Sequence, residues 1–282
     1  MKIHSKTLVT VVLAIVVSVI TASAYAQTSS SGSSIMDTIQ HLGEFQAIEF
    51  RRYQTSPGQR DHFTAYFDSL FPEAMEQLGA LVLGSFHERT GPTAFTWLRG
   101  FHDINARPIV NSAFYYGPVW KEHRTAVNAI LPDSDNVMLL KPLPGREVTV
   151  LPAVDPVQEP GGAKGVMVAE IFSIKKGSVE DFVRAAEPQF ARYRAAGIRE
   201  AGLLETLDVP NNFPQLPIRE DGPFLVWMGI VKDDRSLTER FEPLRAESVK
   251  AFIASGLLRA DPEIVIMDPT GRSRLRWFPT WQ

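Results

Sequence analysis

The chain alternates between short apolar runs and longer segments in which apolar residues recur at helical spacing. The short runs predict strands that are buried on both faces. In the first half these runs are residues 47–50, 81–83, 95–98 and 137–140. The longer segments predict amphipathic helices. One such helical face consists of Phe63, Tyr66, Phe67 and Leu70. The resulting order, β-α-β-β-α-β, is the ferredoxin-like arrangement.

The second half of the chain repeats this order. Its apolar runs are residues 168–171, 203–204, 225–228 and 264–267. Glu49 and Glu170 take matching places in the first strands, and Trp97 and Trp227 take the centre of the third strands. We therefore predict an α+β fold of two ferredoxin-like repeats whose sheets pack against each other. The two sheets could pair within one chain, as a pseudo-dimer, or between two chains, as a homodimer.

Segments rich in proline and glycine mark the boundaries of the predicted domains. Residues 41–145 form the first ferredoxin-like domain, residues 146–164 a linker, and residues 165–270 the second domain. A further proline-rich insertion, Asp208–Pro217, interrupts the second domain. The basic and aromatic tail, residues 271–282, is predicted to lie over apolar surface, or alternatively to contact a partner or a membrane surface.

The N-terminus has the pattern of a secretory signal peptide. Lys2 and Lys6 precede a short apolar run, and Ala24-Tyr25-Ala26 supplies a small-x-small cleavage site. We expect cleavage after Ala26, a flexible serine-rich leader over residues 27–40, and no stable membrane span once the signal is removed. The alternative is an uncleaved N-terminal anchor. The predicted location is periplasmic or secreted.

Composition narrows the classes of function. The 282 residues include 44% hydrophobic and 22% charged residues, as in globular proteins, and the net charge of −3 argues against a nucleic-acid partner held by bulk positive charge. The chain has no cysteine, which excludes disulfides, thiolate metal sites and cysteine nucleophiles. No histidine pair has zinc-site spacing, and no glycine-rich phosphate loop is present. We therefore expect neither a metal nor a bound cofactor.

Four stretches of the first half resemble the NIPSNAP family of the dimeric α/β-barrel superfamily. They are Ile48–Tyr53, Phe95–Phe101, Ala113–Arg124 and Asp133–Leu140. The second half resembles a degenerate copy, with Gly229 where Arg99 stands in the first. The resemblance implies a dimeric α/β-barrel fold. Relatives in the superfamily include monooxygenases without a metal, haem-degrading enzymes and stress-response proteins, so the resemblance implies little about a specific reaction.

Two predicted strands place polar and aromatic side chains on faces that could meet. Alternation along the first strand directs Glu49, Arg51 and Tyr53 to one side of that strand. Alternation along the third strand likewise directs Trp97, Arg99 and Phe101 to one side. The set could form a structural ion pair between packed elements. It could instead line a cavity in which the arginines hold an anionic or carbonyl-bearing ligand.

A predicted helix around residues 115–129 carries the remaining candidates. Pro118 suits its first position, Trp120, His123 and Arg124 share one broad face, and Tyr116 lies near its start. We predict catalytic roles for His123, Arg99 and Tyr116. Ligand binding is predicted for Glu49, Arg51, Tyr53, Trp97, Phe101, Trp120 and Arg124.

These residues support three hypotheses. The first is a small organic molecule bound in the first domain, with oxygenase-type or isomerase-type chemistry that needs no cofactor. The second is a non-catalytic module with a filled core, which interacts through the linker, the insertion or the tail. The third is a haem-handling protein that uses His123, because imidazole is a common axial ligand of haem iron.

Overall fold

A computed structural model describes residues 45–278, and the predicted signal peptide and leader lie outside them. The elements of the first repeat are β1 (Ala47–Gln54), α1 (Arg60–Glu76), β2 (Ala80–Glu88), β3 (Ala94–Phe101), α2 (Ala106–Tyr115), α3 (Pro118–Ile130) and β4 (Asp133–Pro142). The second repeat consists of β5 (Val166–Ser173), α4 (Val179–Ala195), β6 (Arg199–Thr206), β7 (Phe224–Val231), a short turn of helix α5 (Asp234–Ser236), a π-helical segment (Leu237–Phe241), α6 (Glu242–Ala254) and β8 (Glu263–Pro269).

The eight strands form one closed barrel in the order β1-β3-β2-β8-β5-β7-β6-β4. Within each repeat the strands follow the ferredoxin-like order, and the pairs β2–β8 and β4–β6 join the two repeats. The predicted α+β fold of dimeric α/β-barrel type is confirmed. Of the two pairings that the sequence left open, the barrel uses the one within a single chain.

Apolar residues of both repeats fill the inside of the barrel. Phe50 and Leu98 from the first repeat contact the same core as Val226 and Met267 from the second, and all four are at most 2% exposed. The helices of each repeat cover the outer face of that repeat's own strands. Strands that are covered on both faces explain why their sequences are apolar at nearly every position.

The predicted linker, residues 146–164, contains neither helix nor strand, yet it is held against the barrel. Val148 and Val150 are buried in the barrel core, and Thr149 donates a backbone hydrogen bond to Ala201. In the tail, Trp277 joins the same core, as expected for a segment that lies over apolar surface. The predicted domain boundaries stay predictions, because the two repeats share one core.

The helix predicted around residues 115–129 begins at Pro118, its predicted first position, and a separate helix that was not predicted, α2, precedes it. One expectation about the repeats was wrong. The sequence pattern matches Glu49 with Glu170 and Trp97 with Trp227. In the structure, the residue opposite Glu49 on the paired strand is Arg99, whereas the residue opposite Glu170 is Trp227. The two matches differ by two residues in register, so they cannot both hold.

No helix within residues 45–278 is both long enough and apolar enough to cross a bilayer.

Candidate functional site

A buried carboxylate, Glu49, accepts hydrogen bonds from three arginines. Arg51 Nη1 and Arg99 Nε donate to Glu49 Oε2 at 2.6 Å and 2.7 Å, and Arg107 Nε donates to Oε1 at 2.6 Å. All four side chains are 0–1% exposed. The strand register explains part of this cluster, because Glu49 and Arg99 are directly opposite each other on β1 and β3. Arg107 comes from the first turn of α2.

The cluster carries more positive than negative charge. Burial alone would raise the pKa of Glu49, but Arg99, Arg51 and Arg107 outweigh burial and hold this pKa well below its usual range. Glu49 is therefore ionised at neutral pH, and three guanidinium groups face one carboxylate. The further acceptors of Arg107 Nη1 are the side-chain oxygens of Asn211 and Asn212, which are neutral.

Aromatic rings surround the two strand arginines. The Arg51 guanidinium lies 5.4 Å from the centre of the Tyr53 ring and 5.5 Å from that of Trp97. Arg99 lies 5.2 Å from Trp97 and from Phe101. Each cation–π contact of a desolvated arginine contributes up to about 2 kcal/mol. These contacts lower the cost of burying the cations but add no negative charge.

A cavity of about 390 Å³ lies beside this cluster, between the outer face of the sheet and the helices of the first repeat. Arg51, Tyr53 and Trp97 line it from the sheet. Helices α1 and α2 contribute aromatic walls, which include Phe71 and Phe114. This volume is at the lower end of the range in which proteins bind organic ligands, roughly 300–1,000 Å³. The second hypothesis, a non-catalytic module, predicts that these residues form a filled core. The cavity does not agree with that prediction.

The proline-rich insertion of the second repeat covers the cavity of the first. Phe213, Gln215 and Leu216 line the cavity, and the Phe213 ring stacks on Tyr115 with their centres 6.2 Å apart. Asn212 Nδ2 donates to the carbonyl oxygen of Ile104 at 2.7 Å. The two repeats therefore build one site, and the charged groups among its described lining residues all come from the first repeat.

Helix α3 lies along the mouth of the cavity. Trp120, Lys121 and Arg124 line it from this helix, and Tyr116, which is 57% exposed, lines it from just before the helix. Lys121 and Arg124 are exposed and form no ion pair with any residue in the range 45–278. Among the described residues that line the cavity there is no Asp or Glu.

The structure brings most of the predicted ligand-binding residues together at this cavity. Six of the predicted site residues line it, namely Arg51, Tyr53, Trp97, Tyr116, Trp120 and Arg124. Glu49, Arg99 and Phe101 lie behind this lining, in the ion cluster and the aromatic packing around it. This geometry does not favour a direct catalytic role for Arg99, because Arg99 does not line the cavity. Its predicted catalytic role stays a prediction.

His123 is not among the residues that line the cavity. Its Nδ1 lies 2.5 Å from the hydroxyl oxygen of Tyr66, and the two rings pack edge to face on the outside of the cavity wall. Within the described chain no histidine lines the cavity, so its residues do not fit a haem held by an axial histidine. Residues 45–278 also contain no cluster of metal-ligating side chains.

Sequence reasoning missed Arg107 and the insertion residues Asn211, Asn212 and Phe213. Arg107 falls in a helix that the apolar pattern did not predict, and an arginine next to Pro108 carries no signal of burial. For the insertion, the proline-rich pattern predicts only a surface that contacts partners. Between two prolines the insertion carries Asn211, Asn212 and Phe213. This combination was the signal that the insertion packs against another part of the chain.

Sequence comparison identifies the family of the first repeat. Residues 48–144 match the sequence model of the NIPSNAP family. This part of the chain is a NIPSNAP domain. It contains Glu49, the three arginines and α3, whereas the covering insertion lies outside it. A comparison with curated proteins gives no match.

Two of the matching solved structures share the fold of the whole barrel. A candidate monooxygenase from Lactobacillus acidophilus NCFM superposes with a TM-score of 0.53 at 13% identity, over 83% of this chain and 98% of that one. An anthrone oxidase-like protein gives 0.50 at 11% identity, over 83% and 96%. A NIPSNAP domain protein from Burkholderia xenovorans matches over 35% of this chain and 96% of its own, at 16% identity and a TM-score of 0.32. At such identities the likeness concerns the fold alone.

Proposed function

We propose that this protein is exported and binds a small organic molecule in the cavity of its NIPSNAP domain. The observation that carries this proposal is the cavity of about 390 Å³ with Arg51 in its floor and aromatic rings in its walls. An apolar pocket with a few convergent polar groups is the usual form of a small-molecule site. The six predicted site residues that line this cavity give the proposal its residue-level support.

The same geometry favours oxygenase-type or isomerase-type chemistry as the reaction class, if the bound molecule reacts. Both classes can proceed through an oxyanion next to a carbon centre, and a fixed guanidinium stabilises such charge as it develops. Arg51 holds that position because Glu49 and Tyr53 fix its Nη1 and Nε at 2.6 Å and 2.7 Å. The names of the two structural neighbours, a candidate monooxygenase and an anthrone oxidase-like protein, are compatible with this class.

The binding proposal can be tested with two neighbouring positions on α3. Asn128 and Ala129 are both exposed, but only Asn128 lines the cavity. Isothermal titration calorimetry of the full chain with 2-naphthoate and with 2-naphthamide should detect binding of at least one probe. Asn128→Trp should then abolish that binding by filling the cavity, while the matched control Ala129→Trp should leave it unchanged.

Binding that survives Asn128→Trp, or no binding of either probe, would overturn the proposal. Export is tested separately, by N-terminal sequencing of the protein recovered outside the cytoplasm of its native host. The expected first residue is Gln27, which follows the predicted cleavage site. A protein that is found only in the cytoplasm and still begins at Met1 would contradict export.

A further inference from the structure

The charge balance around the cavity indicates what kind of molecule would bind there. Three buried guanidinium groups share the single carboxylate of Glu49, which leaves two positive charges in excess. A buried charge without a counterion is costly, because the interior cannot solvate it as water does. Within the described chain no further acid pairs with Arg51, Arg99 or Arg107. A bound anion would supply part of the missing negative charge.

The hydrogen-bond balance gives a second and independent indication. Trp97 lines the cavity, and its indole Nε1, a donor only, has no partner among residues 45–278. Arg51 uses Nε and Nη1 for Tyr53 and Glu49, and its Nη2 makes no hydrogen bond with a described residue. Both lining groups therefore offer donors without acceptors. Buried polar groups are nearly always paired, so the unpaired indole donor of Trp97, with Arg51 Nη2 beside the same cavity, indicates a ligand that mainly accepts hydrogen bonds.

The mouth of the cavity has the same sign as its floor. Lys121 and Arg124 line the entrance from α3, and neither is neutralised by an ion pair within the described residues. A cleft lined by charge of one sign concentrates ligands of the opposite sign and raises their association rate. The walls between mouth and floor are aromatic, with Phe71, Phe114 and the insertion residue Phe213 among them. Aromatic rings favour a flat aromatic body by offset or edge-to-face stacking.

We infer that the cavity selects a small aromatic carboxylate, with Arg51 and Trp97 binding its charged group and the aromatic walls holding its ring. This inference rests on the proposed function, because it names the class of molecule for the same cavity. Arg51 is the binding residue in the floor, whereas Arg99 and Arg107 act through Glu49 and are positioning residues. Lys121 and Arg124 guide the anion to the entrance.

Three probes with one ring system and different charge test the inference. The full chain is titrated by calorimetry at pH 7.5 with 2-naphthoate, its neutral amide 2-naphthamide, and the cationic 2-naphthylmethylamine. Because hydrogen bonds to charged groups are stronger than hydrogen bonds to neutral groups, naphthoate should bind at least about tenfold more tightly than naphthamide. The amine should bind more weakly than the amide.

Arg51→Gln should remove the preference for the anion. Naphthoate should lose at least about tenfold in affinity, while naphthamide should change by less than about threefold. Glu49 keeps Arg99 and Arg107 as partners in this variant, so no carboxylate is left unpaired. Should the variant fail to fold, the exposed double variant Lys121→Met/Arg124→Met decides instead. It should weaken naphthoate by about threefold or more and slow its association at low salt, with Lys176→Met/Lys250→Met, which also removes two exposed positive charges, as the matched control.

The outcomes separate the inference from the function on which it rests. If none of the three probes binds, the small-molecule site itself is overturned. If naphthamide binds as tightly as naphthoate, binding stands and the selection of an anion is overturned. An Arg51→Gln variant that folds and keeps the preference also overturns the inference, and so does an unchanged affinity for naphthoate in the double variant.

Discussion

Replacing Glu49 and Glu170 by glutamine should change the stability of the fold in opposite directions. Both glutamates lie in the first strand of their repeat and both are 0% exposed. Glu49 accepts hydrogen bonds from three arginines, whereas Glu170 contacts one, Arg245, at 3.0 Å, and its Oε2 has no partner among the described residues. The two carboxyl groups therefore differ in their surroundings and not in their burial.

For Glu49→Gln the expected loss is large, because Glu49 is the one acid within residues 45–278 that pairs with these three buried arginines. Removing one partner of a buried ion pair costs about 3–5 kcal/mol, since the other charge stays buried without compensation. We expect the free energy of unfolding at pH 7 to fall by about 4 kcal/mol. At about 2–4 °C for each kcal/mol in a domain of this size, the Tm should fall by roughly 10 °C.

The pH dependence has opposite signs at the two positions. The pKa of Glu49 in the folded state lies below its ordinary value, so its stabilisation is complete above about pH 4.5 and is lost as the pH falls further. Burial outweighs Arg245 and raises the pKa of Glu170 from 4.5 to about 7. The stability linked to Glu170 is therefore complete below pH 4.5 and is lost as the pH rises towards 7. That loss amounts to about 3 kcal/mol, at 1.36 kcal/mol for each pKa unit.

Urea unfolding of the wild type and of both variants at pH 5 and pH 8 measures these differences. Glu49→Gln should be about 4 kcal/mol less stable than the wild type at both pH values. Glu170→Gln should be about 3 kcal/mol more stable at pH 8 and only about 1 kcal/mol more stable at pH 5. The reasoning is refuted if Glu49→Gln costs less than about 1 kcal/mol, or if both variants shift stability in the same direction.

Three further substitutions test other parts of the structure. Phe213→Ala removes a ring that stacks on Tyr115 and should weaken 2-naphthoate about three- to tenfold by calorimetry; unchanged affinity would place the insertion outside the site. His123→Ala should leave that affinity within about twofold, because His123 does not line the cavity, and a large loss would show that it does take part. Arg276→Met leaves Glu159 buried without its bidentate partner, and should lower the free energy of unfolding in urea by about 3 kcal/mol; an unchanged midpoint would contradict this role.

The sequence by itself determined the strands, most of the helices, the repeat and much of the site. Strands buried on both faces are apolar at nearly every position, and helices that cover one face of a sheet have a regular apolar period, so both can be recognised from neighbouring residues alone. Strand alternation placed Glu49 and Arg51 on one face and Trp97 and Arg99 on another that could meet it, and the register of β1 and β3 brings these residues together. This part of the site was predictable because two strands with local periodicity carry it.

Only the tertiary structure decided how the site is completed. Arg107 reaches Glu49 from 58 positions along the chain, and Asn211 reaches Arg107 from 104 positions further. Such contacts depend on the closure of the barrel, which brings β4 and β6 together and lays the insertion of the second repeat over the first. Periodicity reports which face of an element is buried, but not which distant segment buries it.

The position of the His123 side chain also depends on the tertiary structure. On a helical wheel it shares a broad face with Trp120 and Arg124, yet only those two line the cavity, while His123 contacts Tyr66 of α1. A face that covers about half the circumference of a helix can contact two different neighbours. The angle at which α3 packs on α1 decides which residues of this face contact α1 and which line the cavity. The sequence fixes the order of side chains around a helix, but packing fixes which of them reach a cavity.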